Sequence, residues 1–198
     1  MKLTDYSKVL EGQHVILEPL TFSHRDELIV ASNDGQLSSL WFTGVPNEHT
    51  IDDYITKALK QQESNSAIPF AVLDKKSKRV IGCTRICNAD TEHRRFEIGY
   101  TWYAKSFQRT AVNTECKLLL LSLVFGKLKA IAVEFRTHWH NQASRTAIAR
   151  LGAKQDGILR NHRIHDTGEY RDTVVFSIIE SEWPMVNKSL SFKLRQSV

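Results

Sequence analysis

The stretch Phe96–Trp102, with the sequence FEIGYTW, decides the fold of this chain. Its apolar residues recur at every second position, a period typical of a β-strand. This alternation predicts one face with Phe96, Ile98, Tyr100 and Trp102, and an opposite face with Glu97 and Thr101. A carboxylate in the middle of a strand makes Glu97 a candidate general base. An ordinary solvent-facing residue, or an ion-pair partner of Arg85 or Arg94, fits the same pattern.

A loop and an apolar helix follow this strand. The loop Ala104–Asn113 leads into the helix Val112–Lys127, which is apolar on nearly every side and is therefore expected to be buried. A strand is predicted over Ala130–Thr137, and a strand–helix–strand crossover places its two strands in parallel. Free N–H groups and the helix dipole at the start of the helix suit a pyrophosphate. An ordinary strand-to-helix connection without a ligand would have the same sequence pattern. Three cations are expected to add positive charge there: Lys105, Arg109 and Lys117.

The other elements follow from periodicity, cap residues and turn residues. Strands are predicted over His14–Leu20, Pro69–Asp74, Arg79–Cys87, Asp156–His162 and Arg171–Glu180. Helices are predicted over Arg25–Ser32, Ile51–Gln62 and Asn141–Leu151, and the tail Trp183–Gln196 either forms a short amphipathic helix or frays. The fold class is α/β (α+β) with a mixed sheet, and residues 1–198 are expected to form a single domain.

The composition of the chain restricts the classes of protein to which it can belong. The chain has 198 residues, of which 41% are hydrophobic and 25% are charged, as in globular proteins, and no apolar run has the length of a bilayer span. Its net charge of +5 comes without a Lys/Arg run or a nucleic-acid-binding motif, so neither a nucleic acid nor a membrane is expected as a partner. Met1–Leu10 has no apolar block, so a signal peptide is not expected and a cytoplasmic location is.

Cysteines and histidines form no metal motif in the sequence. The three cysteines, Cys83, Cys87 and Cys116, are an odd number without CxxC spacing, which argues against a disulfide framework. Cys83 and Cys87 are interpreted as small core residues. Four histidines lie close together in the sequence: His138, His140, His162 and His165. Without an HExxH motif, zinc is not expected, and surface and loop positions are the simpler interpretation.

Four stretches, in this order, resemble the GNAT (GCN5-related) N-acetyltransferases over nearly the whole chain. They are Glu97–Trp102, Gln108–Leu121, Asn141–Ala153 and Gly157–Arg160. The resemblance is to the RimJ/RimL-like branch in particular, which acetylates the amino termini of ribosomal proteins. It implies a central, mostly antiparallel sheet with a splayed parallel pair of middle strands and helices on both faces. It also implies acetyl-CoA as cosubstrate and no metal.

The resemblance also assigns cofactor-binding residues. The acyl-CoA loop of the family, Gln/Arg-x-x-Gly-x-Gly/Ala, maps onto Gln108, Arg109, Thr110, Ala111, Val112 and Asn113. Ala111 and Asn113 replace glycine-type residues, and Ala111 reaches a positive φ at a higher cost than glycine. Because the ligands there would be backbone amides, binding is expected to persist if the backbone stays helical. Five further residues are assigned to the cofactor: Tyr100, Trp102, Asn141, Ser144 and Arg145.

The implied mechanism is direct transfer, in which Glu97 takes a proton from the amine. Ser144 is expected near the thioester sulfur, where it would protonate the leaving thiolate in place of the tyrosine of many members, whose position Ile148 occupies. Helix capping by Asn141 and a polar helix face at Ser144 are the simpler interpretations. Substrate-binding residues are expected at Trp41, Phe42 and Tyr170, with Arg171 beside them; core packing of Trp41 and Phe42 fits equally well.

The acceptor amine stays open at this stage. A protein N-terminus, a lysine, a polyamine and an aminoglycoside all present an amine, and the basic chain suits an acidic peptide or protein better than a cationic drug. A small-molecule acetyltransferase and a non-catalytic CoA-binding module are the alternatives. The apolar tail around Trp183, Val186 and Leu190 is compatible with a monomer or a homodimer.

Overall fold

The computed structural model describes residues 1–165 and 167–196. Its strands are β1 Leu10–Glu11, β2 Val15–Pro19, β3 Ile68–Asp74, β4 Val80–Asp90, β5 Arg95–Tyr103, β6 Ala132–His138, β7 Lys154–Ile164 and β8 Tyr170–Ile179. Its α-helices are α1 Arg25–Asn33, α2 Ile51–Glu63, α3 Ala111–Gly126, α4 Gln142–Arg150 and α5 Trp183–Gln196. Every predicted strand and helix is present, and the two-residue strand β1 was not predicted.

The strands form one sheet in the order β1-β2-β3-β4-β5-β6-β8-β7, and only β5 and β6 are parallel neighbours within the described residues. Their pairing covers Arg95–Glu97 against Ala132–Glu134. Both strands continue beyond these residues, to Tyr103 and His138, but they no longer pair with each other there. The predicted mixed sheet with a splayed parallel pair is therefore confirmed, and the gap opens directly after Glu97.

Helices cover the two faces of the sheet unequally. The first face packs against α3, α4 and α5 through residues such as Leu120, Ile148 and Leu190. The second face packs against α1 and α2 through residues such as Leu28 and Ile55. Among the described residues, that second cluster includes none from β6, β7 or β8. The second face is therefore left without a helical cover over its carboxyl-terminal half.

A bulge in β5 changes which side chains share a face. Cys83 pairs with Trp102 and Arg85 with Gly99, so the two residues Tyr100 and Thr101 lie opposite one residue of β4. Tyr100 has a φ of 52° there. A bulge of this kind reverses the alternation of the residues that follow it. Trp102 is consequently buried on the second face. The prediction that it shares a face with Phe96 and Ile98 is wrong, since those two lie on the first face.

Two charged residues are buried in the apolar helix α3. Lys117 is 5% exposed, and its Nζ donates to Thr101 Oγ1 at 2.5 Å. This contact places Thr101 on the first face, opposite to its predicted side. Because Lys117 is buried against the sheet, the prediction that it adds positive charge at the start of the helix is wrong. Glu115, which is 5% exposed, is the second buried charge.

The carboxyl-terminal tail forms the helix α5, which packs on α3. Trp183 stacks on Phe125 with the ring centroids 5.3 Å apart, and Val186 and Leu190 are buried. The amphipathic-helix prediction for the tail is confirmed, and its apolar side is covered within the chain. Among the helices of the described residues, none is long and apolar enough to cross a membrane.

Candidate active site

Glu97 lies on the uncovered half of the second face. Its side chain shares that side of the sheet with Cys87 and Glu134, the residues it pairs with on β4 and β6. Residues two apart on a strand lie on the same face, which adds Arg136 on β6. Glu97 is only 8% exposed. We call this surface the open face and define it by Glu97, Glu134, Arg136 and, further along β8, Arg171.

Two groups contact the Glu97 carboxylate. Asn88 Nδ2 donates to its Oε2 at 2.8 Å, and Arg136 Nε lies 3.6 Å from the same oxygen. Arg136 is shared, because it also donates to Glu134 from Nη2 at 2.8 Å. Neither Arg85 nor Arg94, the ion-pair partners considered from the sequence, forms an ion pair with Glu97. Its other oxygen, Oε1, receives no hydrogen bond from the described residues.

Burial governs the titration of Glu97. Loss of water around the carboxylate raises the pKa of Glu97 above its ordinary value, while the Asn88 hydrogen bond and the Arg136 charge limit the rise. A carboxylate with a raised pKa is a stronger base than an exposed one, and proton transfer is most efficient when the pKa approaches the working pH. A cavity of about 200 Å³ adjoins this group, lined by Asn88, Arg95, Glu134 and Arg136 among others. The geometry suits a general base.

The loop before α3 presents backbone donors. Thr110 caps the helix, since its Oγ1 accepts from Val112 N at 3.3 Å. The other N–H groups of the first turn have no partner within the helix. The residue with a positive φ in this loop is Arg109, at 62°, while Ala111 and Asn113 are helical. The replacement of glycine-type residues at those two positions therefore costs no backbone strain.

The start of α4 holds a further group of predicted residues. Asn141 caps the helix, because its Oδ1 accepts from Ser144 N at 2.9 Å, so the simpler interpretation of Asn141 is confirmed. The Ser144 side chain is half-buried, and its hydroxyl has no hydrogen-bond partner among the described residues. Arg145 stacks on Trp139, with its Cζ 4.2 Å from the ring centroid. The helix packs against β6 and β8, beside the splayed pair.

The loop carrying Trp41 reaches the open face at the end of β6. Trp41 is 62% exposed, and its ring centroid lies 5.0 Å from that of His138. Phe42 lies beside both rings, so core packing of Trp41 does not occur. Tyr170 is 68% exposed at the start of β8, and Ile164 pairs with it.

His138 differs from the surface position expected for it. It is buried, and burial together with the Arg171 charge lowers the pKa of His138 to about 4. His140 N donates to His138 Nδ1 at 3.0 Å, so the neutral ring carries its proton on Nε2, which lies 3.2 Å from His165 Nε2. Across residues 1–165 and 167–196, no group of three or more His, Cys, Asp or Glu side chains could hold a metal ion.

The sequence interpretation missed two residues, Asn88 and Arg136, which contact Glu97 directly. Arg85, which was considered as an ion-pair partner of Glu97, is 1% exposed, and its Cζ lies 4.1 Å from the Tyr100 ring centroid. The strand period places Arg136 on the same side as Glu134, but only the pairing of β6 with β5 brings both to Glu97. No local signal in the sequence identifies that pairing register.

Comparison with known proteins assigns the family. The acetyltransferase (GNAT) domain family matches residues 14–154. The N-acetyltransferase YoaA of Bacillus subtilis, itself uncharacterized, is 24% identical over 87% of this chain and 97% of its own length. A GCN5-related N-acetyltransferase from Brucella melitensis is 32% identical, with a TM-score of 0.84 over 95% of this chain and 86% of that one. RimJ of Mycobacterium smegmatis, solved in complex with CoA-disulfide, is 19% identical and shares the fold, with a TM-score of 0.75 over 90% and 88% of the two chains. This chain belongs to the GNAT family of N-acetyltransferases.

Proposed function

We propose that this acetyltransferase uses acetyl-CoA to acetylate the amino terminus of a protein or peptide by direct attack on the thioester. The observation that carries the proposal is the environment of Glu97. Glu97 is a buried carboxylate with a raised pKa, located where β5 and β6 separate. One of its two oxygens receives no hydrogen bond from the described residues. A protonated amine must lose a proton before it attacks, and such a carboxylate can accept that proton directly or through water.

The amino terminus of α3 is the site proposed for the CoA pyrophosphate. The N–H groups of Ala111 and Asn113 point out of a first helical turn that offers them no acceptor. The helix dipole and the exposed Arg109 favour an anion at the same place. The CoA-disulfide bound by the similar structure of RimJ supports acetyl-CoA as the donor. The Gln108 side chain is not free to bind the pyrophosphate, because its Nε2 donates to Tyr103 O at 3.0 Å.

The residues of this chain divide the chemistry between them. Glu97 removes a proton from the amine, whose nitrogen then attacks the thioester carbon. In the stretch Tyr100–Tyr103, which pairs with β4 but no longer with β6, N–H groups on the β6 side would stabilise the negative charge that develops on the carbonyl oxygen. As the carbon–sulfur bond breaks, the thiolate takes a proton from Ser144 or from water. Tyr100 and Trp102 contribute through their backbone in this scheme, since the Trp102 side chain is buried on the second face.

The open face is the proposed acceptor groove. Its uncovered width suits a peptide, and Trp41 provides exposed aromatic surface at its far end, whereas the exposed Tyr170 precedes Arg171 on β8 and by alternation faces the other side. Arginines on this surface disfavour a cationic acceptor such as an aminoglycoside or a polyamine. A peptide whose first residue reaches Glu97 would leave its following residues over β6 and β8.

The first test follows thiol release with acetyl-CoA and a panel of amines. The panel contains peptides with a free N-terminus, the same peptides blocked at the N-terminus with a free lysine, a polyamine and an aminoglycoside. We expect turnover with the free N-terminal peptides. Turnover confined to the small amines would reject the peptide acceptor.

The second test addresses the α3 site with Ala111→Pro. Proline is tolerated at the first position of a helix and removes a single N–H there, so the fold should persist. Because hydrogen bonds to charged groups are strong, we expect the Kd for acetyl-CoA to rise roughly tenfold or more. The measurement is calorimetric titration, with the melting temperature of the unliganded variant as control. An unchanged Kd would exclude this amide from the cofactor site.

A further inference from the structure

Two arginines stand directly opposite one another on the open face. Arg163 on β7 pairs in register with Arg171 on β8. Like charges at opposite positions of neighbouring strands destabilise a sheet. Other arginines of this region have carboxylate partners: Arg160 binds Asp172, and both Arg95 and Arg136 bind Glu134. Within residues 1–165 and 167–196, neither Arg163 nor Arg171 forms an ion pair.

The hydrogen bonding of Arg171 is also incomplete. Its Nε is buried and has no hydrogen-bond partner among the described residues. Buried polar groups are nearly always paired, so a buried donor of this kind needs an acceptor, and residues 1–165 and 167–196 supply none. Burial and the positive charge of Arg163 both lower the pKa of Arg171. An anion between the two guanidinium groups would remove the repulsion and satisfy the donor.

These two arginines lie close to the proposed base. Arg171 is on the same strand face as Thr173 and Val175, which pair with His138 and Arg136 of β6, so the open face runs continuously from Arg171 towards Glu97. The charges interact across this surface, because Arg163 lowers the pKa of Glu97 and Glu97 raises the pKa of Arg171.

We propose that Arg163 and Arg171 form an anion subsite that binds a carboxylate of the acceptor while its amine is at Glu97. The inference rests on the proposed function, since it takes the open face as the acceptor groove. An extended peptide advances about 3.3–3.6 Å per residue, so the side chains at positions two, three and four reach successively further from Glu97 along the open face. The guanidinium fork matches a carboxylate with two parallel hydrogen bonds. The preferred acceptor is therefore a peptide with Asp or Glu shortly after its N-terminus.

The experiment compares kcat/KM for matched peptides that differ by one Asp→Asn exchange at position two, three or four. We expect the Asp peptide to be preferred roughly tenfold or more at one of these positions, because charge-assisted hydrogen bonds are strong. In Arg163→Gln and Arg171→Gln the preference should fall towards one, and high salt should weaken it in the unmodified enzyme. The ratio is taken within each variant, so a general loss of folding or a shifted Glu97 does not change it.

Arg160→Gln is the matched control, because Arg160 lies on the same strand but is paired with Asp172. It should retain the full preference for Asp. Equal kcat/KM for the Asp and Asn peptides at all three positions in the unmodified enzyme would overturn the subsite while leaving peptide acetylation intact. A preference that survives in both Arg163→Gln and Arg171→Gln would overturn it as well.

Two small anionic amines, β-alanine and phosphoethanolamine, test whether the anion at the subsite belongs to a peptide or to a small molecule. If they are acetylated in preference to every peptide, and the arginine variants remove that preference, the subsite stands and the peptide acceptor fails.

Discussion

Two carboxylates are buried among the described residues of this chain, Glu97 on β5 and Glu115 on α3, at 8% and 5% exposure. Three backbone N–H groups donate to Glu115, those of Gln13, His14 and Val15, at 2.7, 2.6 and 2.8 Å. Glu97 receives a hydrogen bond from Asn88 and a longer contact from Arg136, and its Oε1 has no donor among the described residues. The number of donors, not the depth of burial, separates them.

The difference indicates what each carboxylate does. Fixed backbone donors bind the Glu115 side chain and so attach the start of β2 to α3. A β-carbon at Gly12 would lie 2.3 Å from the Glu115 Cδ, so glycine at this position permits the close approach. Glu97 has too few donors to offset its desolvation, which is why its pKa rises and why it is able to take a proton. Glu115 stabilises the fold, whereas Glu97 reduces stability and, in the proposed mechanism, provides the base.

The largest expected effect is on catalysis, with Glu97→Gln. Removal of a general base lowers kcat by about 10²–10⁴, whereas binding of acetyl-CoA should change little. A raised pKa in the folded state means that the ionised form of Glu97 opposes folding at neutral pH, so the variant should melt no lower than the unmodified protein. Steady-state kinetics, titration and thermal melting measure these effects. Unchanged turnover in Glu97→Gln would remove Glu97 from the mechanism.

Glu115→Gln should produce the opposite pattern. An amide offers one acceptor oxygen to three donors, and buried donors that lose a partner cost about 1–3 kcal/mol each. We therefore expect the free energy of unfolding to fall by about 2–5 kcal/mol, with kcat per folded molecule unchanged at a temperature where the variant is folded. Urea unfolding and an activity assay check this prediction. A loss of kcat as large as that of Glu97→Gln would contradict the division between the two carboxylates.

Lys117 extends the comparison to a buried cation. Desolvation lowers the pKa of Lys117 to about 8 from its ordinary value of 10.5. Between these two pH values the unfolded chain holds the proton more tightly, so the stability of the protein should rise with pH across this window. At pH 7 the full penalty applies, and Lys117→Met should raise the free energy of unfolding by about 1–3 kcal/mol after the loss of the Thr101 hydrogen bond.

Urea unfolding at pH 7 and pH 10 measures the effect of Lys117→Met. The gain in stability should shrink at the higher pH, because the unmodified protein no longer carries the buried charge there. A gain that is the same at both pH values would show that packing, rather than the charge of Lys117, causes it.

The smallest expected effect concerns the partner of the base. Asn88→Ala removes the hydrogen bond that favours ionised Glu97, so the pKa of Glu97 should rise further. The acid limb of the pH profile of kcat/KM should then move to higher pH, with kcat at high pH nearly retained. Asn65→Ala, at an amide that accepts from Leu3 N and does not bind Glu97, is a control that should leave the profile unchanged. An unmoved acid limb in Asn88→Ala would indicate that another group titrates.

Local patterns were sufficient for the elements and for the position of Glu97. Strand and helix periods, the crossover from β5 to β6 and the motif order identified the fold and placed a carboxylate beside the splayed pair. Alternation failed within one strand, because the bulge at Tyr100 adds a residue that no pattern of hydrophobicity reveals. It therefore assigned Trp102 to the wrong face.

The sequence patterns also failed to show which polar residues are buried. The apolar helix α3 gave no indication that Glu115 and Lys117 point inward, because their partners come from β2 and from the bulged end of β5. His138 is buried only because the loop of Trp41 and the hairpin residue His165 cover it. Each of these contacts joins segments far apart in the chain, which a periodicity cannot report.

The sequence by itself determined the strands and helices, the parallel crossover and the presence of an acidic residue at the middle of β5. Those properties depend on side-chain periods and chain connectivity over short distances. The tertiary structure alone decided which donors reach each carboxylate, and that Arg163 and Arg171 meet without a carboxylate partner among the described residues. Strand register and packing set those distances, and the strength and desolvation of a charge depend on distances that the order of residues does not specify.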